Sequence, residues 1–250
     1  MHGFRPRKIP AIFMKKTIKK IIKGVRLSYI DKKSERCLTV SLDSAAGFCQ
    51  PKKCDIKLNI GGGKGHKKKD GWKIIDLRER TADIAMDISS RKLPFEDGSV
   101  SVIFASHVLE HIYPQKLEFV LREFYRVLKS PGGLLRISVP DIAKAISAYT
   151  RKDHSFFAQS TITPFKDNLP LGGLLAGWFY STRIFEDPEC RHGHGHVHCF
   201  DKNYMAWWLR KCGFLSVWES FYRQSIVEEL REDGFDLHKD DSLFMEALKT

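Results

Sequence analysis

The stretch Asp55-Ile-Lys-Leu-Asn-Ile-Gly61-Gly62-Gly63-Lys-Gly65 decides the fold. An apolar strand, Ile56 to Ile60, runs into a cluster of four glycines. Glycine adopts positive φ and lets the backbone approach a ligand with no Cβ in the way. A strand feeding such a loop ordinarily enters a helix, whose free N–H groups attract an anionic or polar ligand group. The loop is therefore a candidate ligand cradle, with a plain tight turn as the other reading. Spacing excludes two cradles. The dinucleotide fingerprint needs glycine at 61, 63 and 66, and position 66 is His. The P-loop needs Lys-Ser/Thr after its last glycine, and Gly65 is followed by His66.

Strand and helix patterns alternate outward from this loop. Trp72–Asp76 reads as a second strand and Ala82–Asp87 as a third, each ending in a carboxylate. Val100–Ala105 is a fourth strand and runs into Ser106-His-Val-Leu-Glu-His111. Pro114 suits a helix's first turn, and apolar residues at 117, 120, 121, 124, 127 and 128 line one helical face. Pro131-Gly-Gly breaks that helix, and Leu134–Val139 is a fifth strand ended by Pro140-Asp141. Residues 142–195 depart from the rhythm, are rich in aromatics, and are expected to form an inserted helical cap. A helix from Asp201 to Lys211 is closed by Gly213, and Leu215–Ser220 and Ser242–Ala247 are the last two strands. The expected fold is α/β: a Rossmann-like, doubly wound, seven-stranded and mostly parallel sheet whose last strand is antiparallel. The expected domains are a basic N-terminal helix and connector, 1–54, and a catalytic domain, 55–250.

In an open α/β sheet, ligands bind beyond the carboxyl ends of the strands. Gly61–Gly65, Asp76, Asp87, Ser106-His107 and Asp141 all fall at such ends. Asp76 is placed to accept hydrogen bonds from both ribose hydroxyls of a nucleoside, or else to cap a helix. Asp87 is placed for an adenine amino group, or else is a turn residue before Ser89-Ser90.

Leu58-Asn-Ile-Gly-Gly-Gly-Lys-Gly65 resembles the first motif of class I S-adenosylmethionine-dependent methyltransferases. Met86-Asp-Ile88 with Lys92–Phe95 resembles that family's adenine motif, and Asp76 falls at its ribose-binding acid. Ser106–His111 and Leu135–Asp141 are similar to the "type 11" subgroup. His198–Asp201 through Gly213-Phe214, and Ser242–Ala247, carry the likeness further, so that it spans most of 55–250. It implies S-adenosylmethionine as cofactor, held by Asn59, Gly61, Gly62, Gly63, Gly65, Asp76, Leu77, Asp87, Ile88 and Ser106. One departure is Asn59, where the family often carries an acid.

A sulfonium methyl is already activated. The protein must align the acceptor, exclude water and, for a hydroxyl, remove a proton. His107, His198 and Asp141 are the candidate catalytic residues, with His111 and His196 beside them; a packing role for His107 is the alternative. Arg191–Cys199 carries histidines at 192, 194, 196 and 198, all on one face if the segment is a strand. With Cys190 and Cys199 they could bind zinc, but the spacing is not that of a finger and no metal is assigned. One or two of these histidines are expected to line the acceptor pocket.

Composition bounds the rest. The apolar fraction of 42% suits a globular domain, and the six cysteines contain no C-x-x-C pair, so they read as free thiols in a reducing compartment. The net charge of +12 invites a nucleic-acid reading, but nine Lys/Arg and no acid lie in residues 1–30. From Met14, which reads like a natural start, residues 14–27 form a basic amphipathic pattern that suits an anionic membrane surface or a solvated helix. The lysines exclude a secretory signal, and the expected location is cytoplasmic, with peripheral membrane attachment the variant. No Asn/Asp-Pro-Pro-Tyr motif or Pro-Cys nucleophile is present, so nucleic acid is not the expected acceptor. The expectation is O-methylation of a small-molecule or glycan-type hydroxyl. An RNA or protein methyltransferase and a non-catalytic cofactor-binding module are the alternatives.

Overall fold

Val100–Ser106 (β6) and Gly133–Pro140 (β7) are buried at every position, as strands covered on both faces must be. They sit at the centre of a seven-stranded sheet in a computed structural model that describes residues 28–30, 37–39, 48–62, 71–77, 80, 82–158, 169–180 and 195–250. The other strands are Ile56–Ile60 (β3), Trp72–Asp76 (β4), Ile84–Ala85 (β5), Ser216–Ser220 (β8) and Ser242–Lys249 (β9). Their order is β5-β4-β3-β6-β7-β9-β8. The first five pair in parallel, and β9 runs antiparallel to both β7 and β8. The sheet is thus the mostly parallel, seven-stranded one expected, with an antiparallel last strand.

The chain divides into two units, residues 1–44 and 45–250. In the first, Ser28–Ile30 (β1) and Cys37–Thr39 (β2) form an antiparallel pair. The basic helix expected over 14–27 lies outside the described residues, as do Gly63, Gly65, Cys190, His192 and His194.

Local chemistry explains the boundaries. Pro114 opens α1, Pro114–Val127, at a position that has no helical N–H to lose. Leu117, Val120, Leu121, Phe124 and Val127 are all buried on its inner face. The third strand is only two residues long, not 82–87. The Asp83 carboxylate accepts the Ile74 N–H at 2.9 Å, replacing a ladder bond, and Asp87 turns the chain. Asp201 is the N-cap of α5, Lys202–Lys211, and accepts the Tyr204 N–H at 2.7 Å. The segment expected to be a cap is helical where described: Ile142–Thr150 (α2), His154–Ala158 (α3) and Leu171–Tyr180 (α4). These helices share an apolar cluster of Ala145, Ala148, Phe157, Leu174 and Trp178, separate from the sheet's own core. Among the described residues no helix is long and apolar enough to cross a membrane.

The loop after Asp87 is clamped from α1. The Glu123 carboxylate accepts the Leu93 N–H at 3.0 Å, and Arg126 bridges Glu123, Asp97 and the carbonyls of Leu93 and Phe95. The Arg126 hydrogen bond holds the Glu123 carboxyl below its ordinary value of 4.5, with burial opposing. A carboxyl lowered on folding contributes stability that is present above its unfolded pKa and is lost as pH falls below it. Unfolding midpoints measured in urea should therefore fall more steeply below pH 4.5 in the wild type than in Glu123→Gln.

Candidate active site

Neighbouring strand ends form one continuous edge. Gly61 follows β3 and donates its N–H to the carbonyl of Ile75 at 2.7 Å, next to Asp76 at the end of β4. Ile60 pairs with Ala105, so Ser106 stands beside Gly61, and Ser106 pairs in turn with Ser138. Because β9 runs antiparallel, its first residue, Ser242, lies opposite Pro140 at this same edge.

The glycine turn is tight. Gly61 has φ 71°, and a Cβ there would lie 2.1 Å from Val108 Cγ2. A Cβ on Gly62 would lie 2.7 Å from Ile74 Cγ2 and 3.3 Å from Asn59 Nδ2. Beneath the turn, Asn59 is 4% exposed and its Oδ1 has no hydrogen-bond partner among the described residues. A cradle that tolerates no side chain, with an orphaned buried acceptor below it and a half-buried carboxylate at the next strand end, fits a nucleoside cofactor bearing donor groups.

The other expected cofactor residues differ in their freedom. Leu77 is exposed and Ile88 is buried in the main core. The Ser106 hydroxyl accepts from Ser138 Oγ at 2.8 Å. Asp87 accepts the Ser89 N–H at 2.8 Å, which is the turn role weighed from the sequence. Burial works to raise the Asp87 pKa, but the bonds from Ser89 and Ser90 outweigh it and hold the carboxyl low.

His107 is the most constrained of the candidate bases. Its φ of 53° is left-handed, rare for a non-glycine residue and frequent at functional sites. Its N–H donates to the carbonyl of Ser138. Nε2 lies 2.8 Å from Ser242 Oγ, Nδ1 lies 3.2 Å from Glu110 Oε1, and the ring packs against His238 at 4.2 Å. Glu110 is 1% exposed. Burial works to raise its pKa, but His107, aided by His111 and His196, brings it down to about 2.

His198 is buried, packs at a tilt against Phe200, and places Nε2 3.1 Å from Tyr204 Oη; burial lowers its pKa. Asp141 caps α2, accepting the Ala143 N–H at 3.0 Å, and burial raises its pKa. The three candidate catalytic residues are thus unequal: Asp141 and His198 have structural partners, while His107 is flanked by a carboxylate and a hydroxyl. Glu110 and Ser242 were not expected from the sequence. The contact between His107 and Glu110 arises where left-handed His107 leads into the Leu109–His111 turn.

Residues 66–137 match the family model described as "Methyltransferase domain", beginning just past the glycine loop. Among solved structures, the chain is similar to an S-adenosylmethionine-dependent methyltransferase from Thermotoga maritima described as a possible histamine N-methyltransferase. That pair shares 16% identity, covers 84% of this chain and 87% of the other, and has a TM-score of 0.40. A second, from Archaeoglobus fulgidus, is an S-adenosylmethionine-dependent methyltransferase with 16% identity, 83% and 91% coverage and a TM-score of 0.48. A third is the CurJ carbon methyltransferase, with 16% identity, 84% and 51% coverage and a TM-score of 0.42. No match was found among curated protein sequences.

Proposed function

We propose that this chain is a class I S-adenosylmethionine-dependent methyltransferase of the type 11 kind and that it methylates a hydroxyl on a small-molecule or glycan-type acceptor. The observation that carries the hydroxyl reading is His107 held between Glu110 and Ser242 at the strand-end edge.

S-adenosylmethionine supplies the methyl group on a sulfonium, an electrophile that needs no further activation. Gly61, Gly62 and Asn59 would hold it from below, and Asp76 would take its ribose hydroxyls. The remaining work falls to the chain. A hydroxyl is a weak nucleophile until its proton leaves, and a neutral imidazole is the side chain suited to accept that proton near pH 7. With Nδ1–H turned to Glu110, His107 keeps Nε2 as the acceptor, and an acceptor hydroxyl takes the place of Ser242 Oγ there. The Glu110 carboxylate then stabilises the imidazolium, as a buried carboxylate does for a catalytic histidine. General-base help of this kind is typically worth about 10²–10⁴ in rate. The helices after β7 leave the rings of Tyr149 and Tyr180 exposed.

The test is mass spectrometry of cell extracts incubated with the protein and isotopically labelled S-adenosylmethionine. Label on an oxygen of a sugar or small metabolite is the expected result. Label on nitrogen or carbon, or confined to RNA or protein, overturns the hydroxyl reading.

A further inference from the structure

We propose that Glu110, His111 and His196 form a binding site for a divalent transition-metal ion of the zinc type. One ligand atom from each residue lies within 4.8 Å of the others. The three residues come from two segments laced together by the main chain. The Glu110 carbonyl accepts the N–H groups of both Val197 and His198, at 2.9 and 3.1 Å, which sets His196 against the Leu109–His111 turn. The His111 and His196 rings meet at 5.1 Å.

An ordinary buried polar cluster satisfies itself, and this one does not. Glu110 is 1% exposed; its Oε1 faces His107 Nδ1 at 3.2 Å, and its Oε2 has no hydrogen-bond partner among the described residues. A buried carboxylate without hydrogen bonds is costly unless a cation compensates it.

His111 is tied to the second segment, with Nδ1 3.4 Å from the Gly195 carbonyl. Zinc–ligand distances of about 2.0–2.2 Å bring ligand atoms to about 3.4 Å apart, so small side-chain rotations close the site. Two imidazoles and a carboxylate suit zinc and its first-row neighbours and leave a coordination position open. A carboxylate has two oxygens, so Glu110 can serve an ion and His107 together. The site itself stands on its ligands alone.

The experiment is equilibrium dialysis of the chelator-treated full chain against Zn²⁺, with metal quantified per chain, and the visible absorption of the Co²⁺ form. One ion per chain is expected, weakened at least tenfold in His111→Ala, His196→Ala and Glu110→Gln. It should be unchanged in the double variant His192→Ala/His194→Ala. S-adenosylmethionine affinity and circular dichroism, measured on each variant, separate lost ligands from lost fold. Absence of stoichiometric metal, survival of binding in a folded His196→Ala, or its loss in the 192/194 double variant would each overturn the site. Dialysis involves no acceptor, so failure of the hydroxyl reading leaves this result interpretable.

Discussion

Gly61→Ala should lower stability by about 2–5 kcal/mol and weaken S-adenosylmethionine binding at least tenfold. Two costs combine. A non-glycine residue at the left-handed φ of 71° costs roughly 1–2 kcal/mol. The new methyl would also stand 2.1 Å from Val108 Cγ2, an impossible contact that forces the turn or the 107–111 loop to move. Overpacking of this kind typically costs about 1–3 kcal/mol. Either displacement spoils the edge where Gly61, Asp76 and Ser106 meet. The two costs can be separated. Val108→Ala removes the clashing methyl and leaves the backbone strain, so the double variant should recover the overpacking part only. Urea unfolding of the two single variants and the double, with calorimetric titration of the cofactor, measures the split. Additive losses in the double variant would mean that Val108 does not confine the turn.

Arg136→Met should cost about 3–5 kcal/mol of stability without touching the site. Arg136 is wholly buried, donates to Asp236 at 2.6 and 3.2 Å and to Glu246 at 3.0 Å, and also bonds Ser220 and the carbonyls of Phe221 and Gln224. Its removal strands two buried carboxylates, the case in which breaking a buried pair costs most. Burial already raises the Glu246 pKa against the pull of Arg136, and loss of the guanidinium raises it further. A carboxyl raised on folding binds protons better in the folded state, so the deficit should grow as pH rises above 4.5 and shrink in acid. Replacing all three groups, as Arg136→Met with Asp236→Leu and Glu246→Leu, should restore much of the loss. Denaturant midpoints at pH 4.5 and 7 test both statements. A single-variant loss equal at the two pH values would refute the charge argument.

Much of this architecture was legible because it is local. Glycines after an apolar strand, carboxylates at two strand ends and the apolar face of α1 each follow from spacing within a dozen residues. The edge strand β5 was overestimated because Asp83 looks like an alternating strand residue, and only the fold shows its side chain bonding to Ile74. The partners of His107 were hidden for a different reason. Ser242 lies 135 positions away and reaches it through the antiparallel register of β9 on β7. Glu110 was in view within Ser106–His111, yet its burial, which gives it meaning, depends on His196 and the return of the chain after α4. In the sequence Arg136 and Ser138 are the polar residues of an otherwise apolar strand. Its cross-strand partner Glu246 lies directly opposite in the register, a pairing that the strand patterns alone cannot align.

We propose that the β3 turn and the β4 carboxylate together hold S-adenosylmethionine. Calorimetric titration of the cofactor into the wild type and Asp76→Ala tests it most directly. Asp76 is half-buried at the sheet edge, and its replacement leaves the core untouched. Losing hydrogen bonds to a charged group, each worth about 1.5–3 kcal/mol, should weaken binding at least tenfold at one site per chain. Equal affinity in the two proteins, or no binding to the wild type, would contradict the account.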